Sequence, residues 1–439
     1  MTNARSLLRG GVNPPDDRLL SRAAPIGNAA LPAIAVIPML QHAGAPARCL
    51  VKPGDLVSEG MLIGRAEGAQ CANVHSSIPG RVLEVKEISM PGGLASLAAV
   101  IELGGAFERS GRPRGAMEWK GLSRVDLLGK IQAAGIVGLG GRCVPTHQKL
   151  MRAPGRRVSL FVASGVDCEP TLSAAHALMR DRAREIVEGM RICQSLLDAA
   201  RVVLAVGQDA EGLVEEYGRL FAATDLQCDI AVLPSRYPQG NEQLILASLD
   251  GSGVLSPTSP ESVVLHAGTL YAVYEAVVFD KPLMERVLTV AGTPVAGPRN
   301  LKVRLGTPIG ELFEECGGLS FDPGKIVVGG PMRGVPVDSP GVPVTKGTTG
   351  VVAFTRREAR ERREWPCINC GSCVDACPWG LVPARLYKLI RQGSVASAAG
   401  EGLSRCTECG CCAFACPSHL RLVPMLHSGL RALEDKADA

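Results

Sequence analysis

Two matching cysteine runs constrain this chain more than any other feature. Cys367, Cys370, Cys373 and Cys377 are followed by Pro378, and Cys406, Cys409, Cys412 and Cys416 are followed by Pro417. Each run reads C-x2-C-x2-C-x3-C-P, the spacing in which three thiolates hold one [4Fe–4S] cluster and the fourth reaches across to a second. The expected ligand sets are therefore Cys367, Cys370 and Cys373 with Cys416, and Cys406, Cys409 and Cys412 with Cys377. Such crossing folds the two halves onto each other and makes the segment a relay for single electrons. A pair of structural zinc sites is the alternative, but zinc favours two pairs of ligands across a loop and has no use for the trailing Cys-Pro. Cys411 fits no ligand position and reads as a small buried hydrophobe.

The remaining seven of the 16 cysteines are scattered without framework spacing, which suits a reducing compartment better than a disulfide scaffold. The 439 residues are enough for about three domains. A formal charge of +4 gives no case for nucleic acid. No run of eighteen apolar residues and no apolar leader is present, so neither a membrane span nor a signal peptide is expected.

Residues 1–112 read as a β-rich module with tight turns, as at Pro53-Gly54 before Leu56-Val57 and Pro79-Gly80 before Arg81–Val85. Its hairpin rhythm is similar to the lipoyl carrier sandwich, without the carrier lysine, and a structural or docking role is expected of it. Linker composition over Ser110–Glu118 leads into a second unit, residues 116–284. There a helix near Leu127–Ile131 precedes the loop Gly138-Leu139-Gly140-Gly141-Arg142-Cys143, and Pro145 or Thr146 can open a short helix bearing Lys149. Glycines at such a place permit close approach of a phosphate, although a plain turn fits equally.

Val158–Ser164, Val202–Val206 and Cys228–Leu233 read as buried strands, and Leu172–Ala200 and Glu211–Thr224 as the helices between them. This order argues for a parallel sheet. Ligands of such sheets lie at the carboxyl ends of the strands, where Asp167 and Glu169 fall. A helix-capping role for either acid is the competing reading. Ser262–Leu270 reads as a strand followed by a turn. Residues 285–355 form a small β-rich unit with one helix near Thr307–Cys316. Five arginines among glutamates in Arg356–Arg363 read as a solvated helix, and residues 360–430 as the helical two-cluster domain, with Pro383 opening a helix.

The whole chain resembles the C subunit of the Rnf electron-transport complex. The residues that carry the likeness are Leu8–Pro15, Gln41–Ala47, Val51–Asp55, the Gly138–Leu150 loop, Cys168-Glu169-Pro170, Tyr237-Pro238-Gln239-Gly240, Gly329–Met332 and the paired cysteine runs. The second unit is in turn similar to the flavin subunit of respiratory complex I. The resemblance implies a multidomain α/β protein with an N-terminal barrel-sandwich module, a flavin-type domain, a β-grasp domain of SLBB type and a C-terminal ferredoxin domain. It implies FMN and NAD(H), with Gly138, Gly140 and Gly141 near the flavin phosphate, Lys149 assisting, and Asp167, Glu169 and Glu242 lining the site. It also implies an oxidoreductase subunit held peripherally on the cytoplasmic face of the bacterial inner membrane. Its expected partners are the integral-membrane and iron–sulfur subunits of the complex. No side chain is expected to transfer protons.

The chain departs from the family pattern around this pocket. Arg142 and Cys143 replace Ala and Gly, Ser164 replaces Asn, Asp167 replaces Glu and His266 replaces Asn. A Cβ at position 143 is costly if that residue needs positive φ, whereas Arg142 could add a phosphate contact. Two other functions stay open on the sequence: an iron–sulfur relay whose nucleotide pocket has decayed, and a soluble electron donor like the cobalamin reductases.

Overall fold

The computed structural model describes residues 2–3, 9–68, 70–107, 115–151, 157–250 and 261–437. Part of the expected linker, residues 110–114, lies outside them. The central layer is a five-stranded parallel sheet in the order Thr2–Asn3, Asp229–Leu233, Arg201–Gly207, Leu160–Gly165, Ser262–His266. Leu160–Gly165 and Arg201–Gly207 are buried along nearly their whole length. That is why they read as continuous apolar runs rather than as alternation.

Two expectations for the helices around this sheet are corrected. Leu172–Ala200 is not one helix but two, Ala174–Asp181 and Ala183–Leu197, joined at a non-helical Arg182. The break lets the first helix pack on the neighbouring β-domain while the second stays against Ala267–Phe279. The stretch after Ser262–His266 is that long helix, Ala267–Phe279, rather than a turn. It is apolar on almost every side, so it lacks the one-sided stripe that marks a surface helix.

A six-stranded mixed sheet follows, with Glu285–Ala291, Arg299–Arg304, Lys325–Val328, Val335–Val337 and Gly350–Phe354, backed by the helix Ile309–Glu315. Its sixth strand, Gly27–Asn28, comes from the start of the chain and pairs with Leu301–Lys302. Asn300 Nδ2 also donates to the carbonyl of Ser21 across 279 residues (2.8 Å). The early segment thus belongs spatially to the later domains. The barrel-like module has one sheet of Ile34–Pro38, Leu94–Leu103, Gly80–Met90 and Leu56–Val57, and a second of Arg48–Cys49, Leu62–Arg65 and Val74–His75. Ile37, Ile63, Val74 and Ile101 fill the space between them.

The arginine-rich stretch Arg356–Arg363 is a turn and an extended strap, not the expected helix. It has no apolar stripe to bury, and its exposed contacts run to distant residues, as in Arg356–Asp322 and Arg421–Glu361. The C-terminal unit packs Pro383–Arg391, Val395–Gly400 and Leu422–Ala437 around Trp379, Leu386 and Leu403. Pro383 stands in the first turn of its helix, as its missing N–H allows. Among the described residues no helix is long and apolar enough to cross a membrane.

Candidate functional site

The carboxyl ends of the parallel strands open onto a cavity of about 790 Å³. Gly138, Gly140, Gly141, Lys149, Asp167, Glu169 and Glu242 all line it, together with Arg142, Cys143, Ser164 and His266. The fold therefore collects every residue singled out around positions 138–169, 242 and 266 on one wall system. A cavity of this size falls in the range that cofactors and small substrates occupy.

The glycine loop is held by its own backbone. Gly138 donates to Val144 O (2.9 Å), Cys143 donates to Gly138 O (3.1 Å), and the amide of Leu139 donates to Thr269 Oγ1 (2.9 Å). The amides of Gly140, Gly141 and Arg142 have no hydrogen-bond partner among the described residues. Successive free N–H groups at an open turn form an anion-binding concavity. This is the feature that fits a phosphate, and Gly141 at φ +101° is a position where glycine is needed.

Cys143 adopts φ +52°, so a non-glycine residue does occupy a left-handed position. Its thiol is buried, and burial pushes it above the ordinary thiol range while Arg286 and Lys346 pull the other way. His266 closes the opposite side, where a Cβ on Gly140 would come 3.4 Å from its ring. Its Nδ1 accepts from Gly268 N (3.1 Å) and so caps the helix Ala267–Phe279. Burial and the nearby Arg286 lower its pKa to about 4, which keeps the ring neutral and able to accept.

The charged candidates are already engaged by the protein. Lys149 Nζ meets Glu242 Oε2 at 2.8 Å and Val264 O at 3.2 Å. Asp167 Oδ2 accepts from His176 N (2.8 Å) and so caps the helix Ala174–Asp181 from outside it. Desolvation by burial raises its pKa to about 6. Glu169 Oε2 accepts from Met332 N (3.0 Å), and burial raises this carboxyl too. Its Oε1 is buried without a hydrogen-bond partner.

Several wall residues were not singled out for this site by the sequence. Arg286 is only 6% exposed and donates to Leu139 O (3.2 Å) and to Lys346 O, bracing the glycine loop from behind. Leu40–Gly44 and the hairpin residues Met90, Pro91 and Leu94 bring the N-terminal module onto the same cavity. That module is joined to the loop by Ala43 N to Cys143 O (3.0 Å). The hints available were the lone arginine in the strand Glu285–Ala291 and the Gln41–Ala47 stretch.

The cysteine runs form two sets. Cys377 lies within electrostatic reach of Cys409, and both Cys406 and Cys412 feel Cys409 and Cys377. These four surround a small hollow walled by Trp379, Leu381, Val423 and Leu426. Cys373 feels Cys416 and Cys367 instead. The fourth cysteine of each run thus stands with the other run. Cys411 is fully buried against Tyr237 and Ala376.

Comparison with known proteins follows this anatomy. Residues 7–106 match the RnfC barrel sandwich hybrid domain, 131–275 the Nuo51 FMN-binding domain, 287–336 the SLBB domain and 366–420 the 4Fe-4S dicluster domain. The C subunit of the proton-translocating ferredoxin:NAD(+) oxidoreductase complex of Clostridium ljungdahlii is 35% identical over 381 residues, 86% of this chain and 83% of that one. The C subunit of the Rhodobacter capsulatus ion-translocating oxidoreductase complex is 35% identical over 90% of this chain and 77% of its own. The sodium-translocating counterpart of Acetobacterium woodii is 33% identical over 86% of each. With four domain matches in this order and relatives similar across nearly its whole length, the chain belongs to the C subunits of Rnf-type ion-translocating oxidoreductase complexes.

Proposed function

We propose that this chain passes electrons between NAD(H), FMN and two [4Fe–4S] clusters as a subunit of an Rnf-type ion-translocating complex. The observation that carries the reading is the cavity at the sheet's carboxyl edge, which gathers a free-amide glycine loop and three acids and reaches the cysteine domain through Tyr237. FMN supplies the conversion between a two-electron hydride and single electrons, and the clusters relay those electrons singly. The amides of Gly140, Gly141 and Arg142 would cradle the flavin phosphate, with Gly138 shaping the loop. Lys149 would stand behind them as a positive charge, held in place by Glu242. Asp167, Glu169 and Glu242 would line the flavin and nicotinamide side.

Cys377, Cys406, Cys409 and Cys412 would hold one cluster, and Cys367, Cys370, Cys373 and Cys416 the other. The relatives named above are subunits of membrane complexes. This chain, with no spanning helix among its described residues, would sit peripherally on the cytoplasmic face, against integral-membrane and iron–sulfur subunits.

The test is anaerobic reconstitution with iron, sulfide and FMN, followed by assays of bound flavin and of NAD(H) binding in wild type and Cys143→Gly. One FMN and two clusters per chain are expected, with the flavin spectrum responding to NADH. A chain that assembles both clusters but binds neither FMN nor NAD(H) would refute the reading. That result would favour a relay without nucleotide chemistry, a role consistent with the engagement of Lys149, Asp167 and Glu169 by protein partners.

A further inference from the structure

Three motifs have no part in the reading above, yet they meet at one place. They are Gly10-Gly11, Tyr237-Pro238-Gln239-Gly240 and Gly329–Met332. Gly10 (φ +78°) lies so close to the cysteine domain that a Cβ would come 2.6 Å from the carbonyl carbon of Cys377. Gly11 donates to Ala376 O (2.9 Å), and Val12 and Tyr237 exchange both backbone hydrogen bonds (2.9 and 3.0 Å). The Tyr237 hydroxyl donates to Cys409 O (2.6 Å). Met332, held by Glu169, leaves its carbonyl oxygen 3.0 Å from where a Cβ on Gly410 would stand. Tyr237 packs in a small apolar cluster with Cys409, Cys411 and Ala376, and it also lines the cavity.

The two thiol sets are not equivalent with respect to this seam. Cys377, Cys409 and Cys412 are buried and Cys406 is half-buried, and Cys377 and Cys409 are the members of the set that the seam touches. In the other set Cys370 is exposed and Cys367, Cys373 and Cys416 are half-buried. Its chain neighbours Ile368 (66% exposed), Val374 and Phe414 face outward. Electron transfer weakens steeply with distance, and hydrogen bonds and solvent exposure around the cysteines set a cluster's potential.

We propose that Tyr237 is the junction between the cavity and the inner thiol set. On this assignment the cluster on Cys377, Cys406, Cys409 and Cys412 exchanges electrons with the nucleotide side. The cluster on Cys367, Cys370, Cys373 and Cys416 exchanges them with a one-electron iron–sulfur partner outside. The assignment rests on the proposed function. Its balance is two reduced clusters, one proton and NAD+ giving two oxidised clusters and NADH, or the reverse. Tyr237 acts as a positioning residue, fixing the path and hydrogen-bonding the backbone of an inner ligand.

The experiment uses the reconstituted full chain, reduced anaerobically with titanium(III) citrate, freed of reductant and mixed with NAD+. Each cluster is followed by freeze-quench EPR. In Cys409→Ser the surviving outer cluster should be reoxidised at least about tenfold more slowly than in wild type. Reoxidation of the outer cluster at the wild-type rate in Cys409→Ser would overturn the wiring.

Because a cysteine variant can lose the domain altogether, Tyr237→Phe gives a second readout. The EPR signal and midpoint potential of the inner cluster alone should shift. A shift confined to the outer cluster, or none, would overturn the role of Tyr237. Wild-type clusters untouched by NAD+, in a chain that binds no nucleotide, would instead remove the proposed function and this assignment with it.

Discussion

Cys143 and His266 show how a pocket tolerates residues that its pattern does not favour. At φ +52° the Cys143 backbone carries a left-handed cost of roughly 1–2 kcal/mol. Burial of the thiol returns about 1 kcal/mol of that. Cys143→Gly should therefore leave stability within about 1 kcal/mol of wild type, and bound flavin equal or greater. Cys143→Val, with a β-branched side chain at positive φ, should cost about 2 kcal/mol or more. Urea unfolding of the three proteins checks the order. At position 266 the imidazole Nδ1 does the capping work that an Asn oxygen does, so His266→Asn should be nearly neutral. His266→Ala should lose about 1 kcal/mol.

Among the elements, the helix Ala174–Asp181 depends on an acid that lies outside it. The carboxyl of Asp167 satisfies the amide of His176, yet burial raises its pKa to about 6. Between about pH 4, where the unfolded carboxyl titrates, and pH 6, the folded state holds more protons than the unfolded state. This group's contribution to stability therefore falls as pH rises through that window. Asp167→Asn keeps an oxygen acceptor without the charge. Its stability relative to wild type should thus improve from pH 4 to pH 7, and denaturant midpoints at both pH values test this. If Asp167 were ionised freely at pH 5, the two profiles would run parallel.

What was legible in the sequence also sorts by element. The cysteine runs announced themselves because their chemistry is local: ligand spacing is short and the residue type is decisive. The parallel strands were legible as apolar runs. The helix Ala267–Phe279 was missed because it is apolar on almost every side and has no broad polar face, and the Arg356–Arg363 strap was misread because charge alternation mimics a solvated helix. The cavity was legible only in part. Gly138–Gly141 carries a composition signal, but Leu40–Gly44, Met90 and Arg286 reach the same space from far along the chain. No local pattern encodes that convergence.

For the molecule as a whole, Lys346 ties three modules together. Its fully buried ammonium donates to Asn73 O (2.6 Å) in the barrel and to Gly135 O (2.8 Å) beside the flavin-type domain. Its own backbone amide donates to Gln41 Oε1 (3.1 Å). Burial lowers its pKa to about 7 from 10.5. Between those values the unfolded chain holds the proton that the folded chain gives up, so stability from this group rises with pH. Wild type should gain stability between pH 7 and pH 9 relative to Lys346→Met, which lacks the group. Anaerobic denaturant midpoints at the two pH values would show it. Equal slopes in the two proteins would mean that the lysine keeps an ordinary affinity for its proton.

The strand Gly27–Asn28 has a consequence for the order of events during synthesis. Its partner Leu301–Lys302 emerges from the ribosome long after it, as does Tyr237, the partner of Val12. The opening segment must therefore wait, unpaired, while the barrel from Ile34 to Leu103 can close on contacts within itself. Throughout that interval a short sheet edge and its flanking apolar residues stand open to other nascent chains. Fast completion of the later domains, rather than extra stability in the finished protein, is what shortens that exposure.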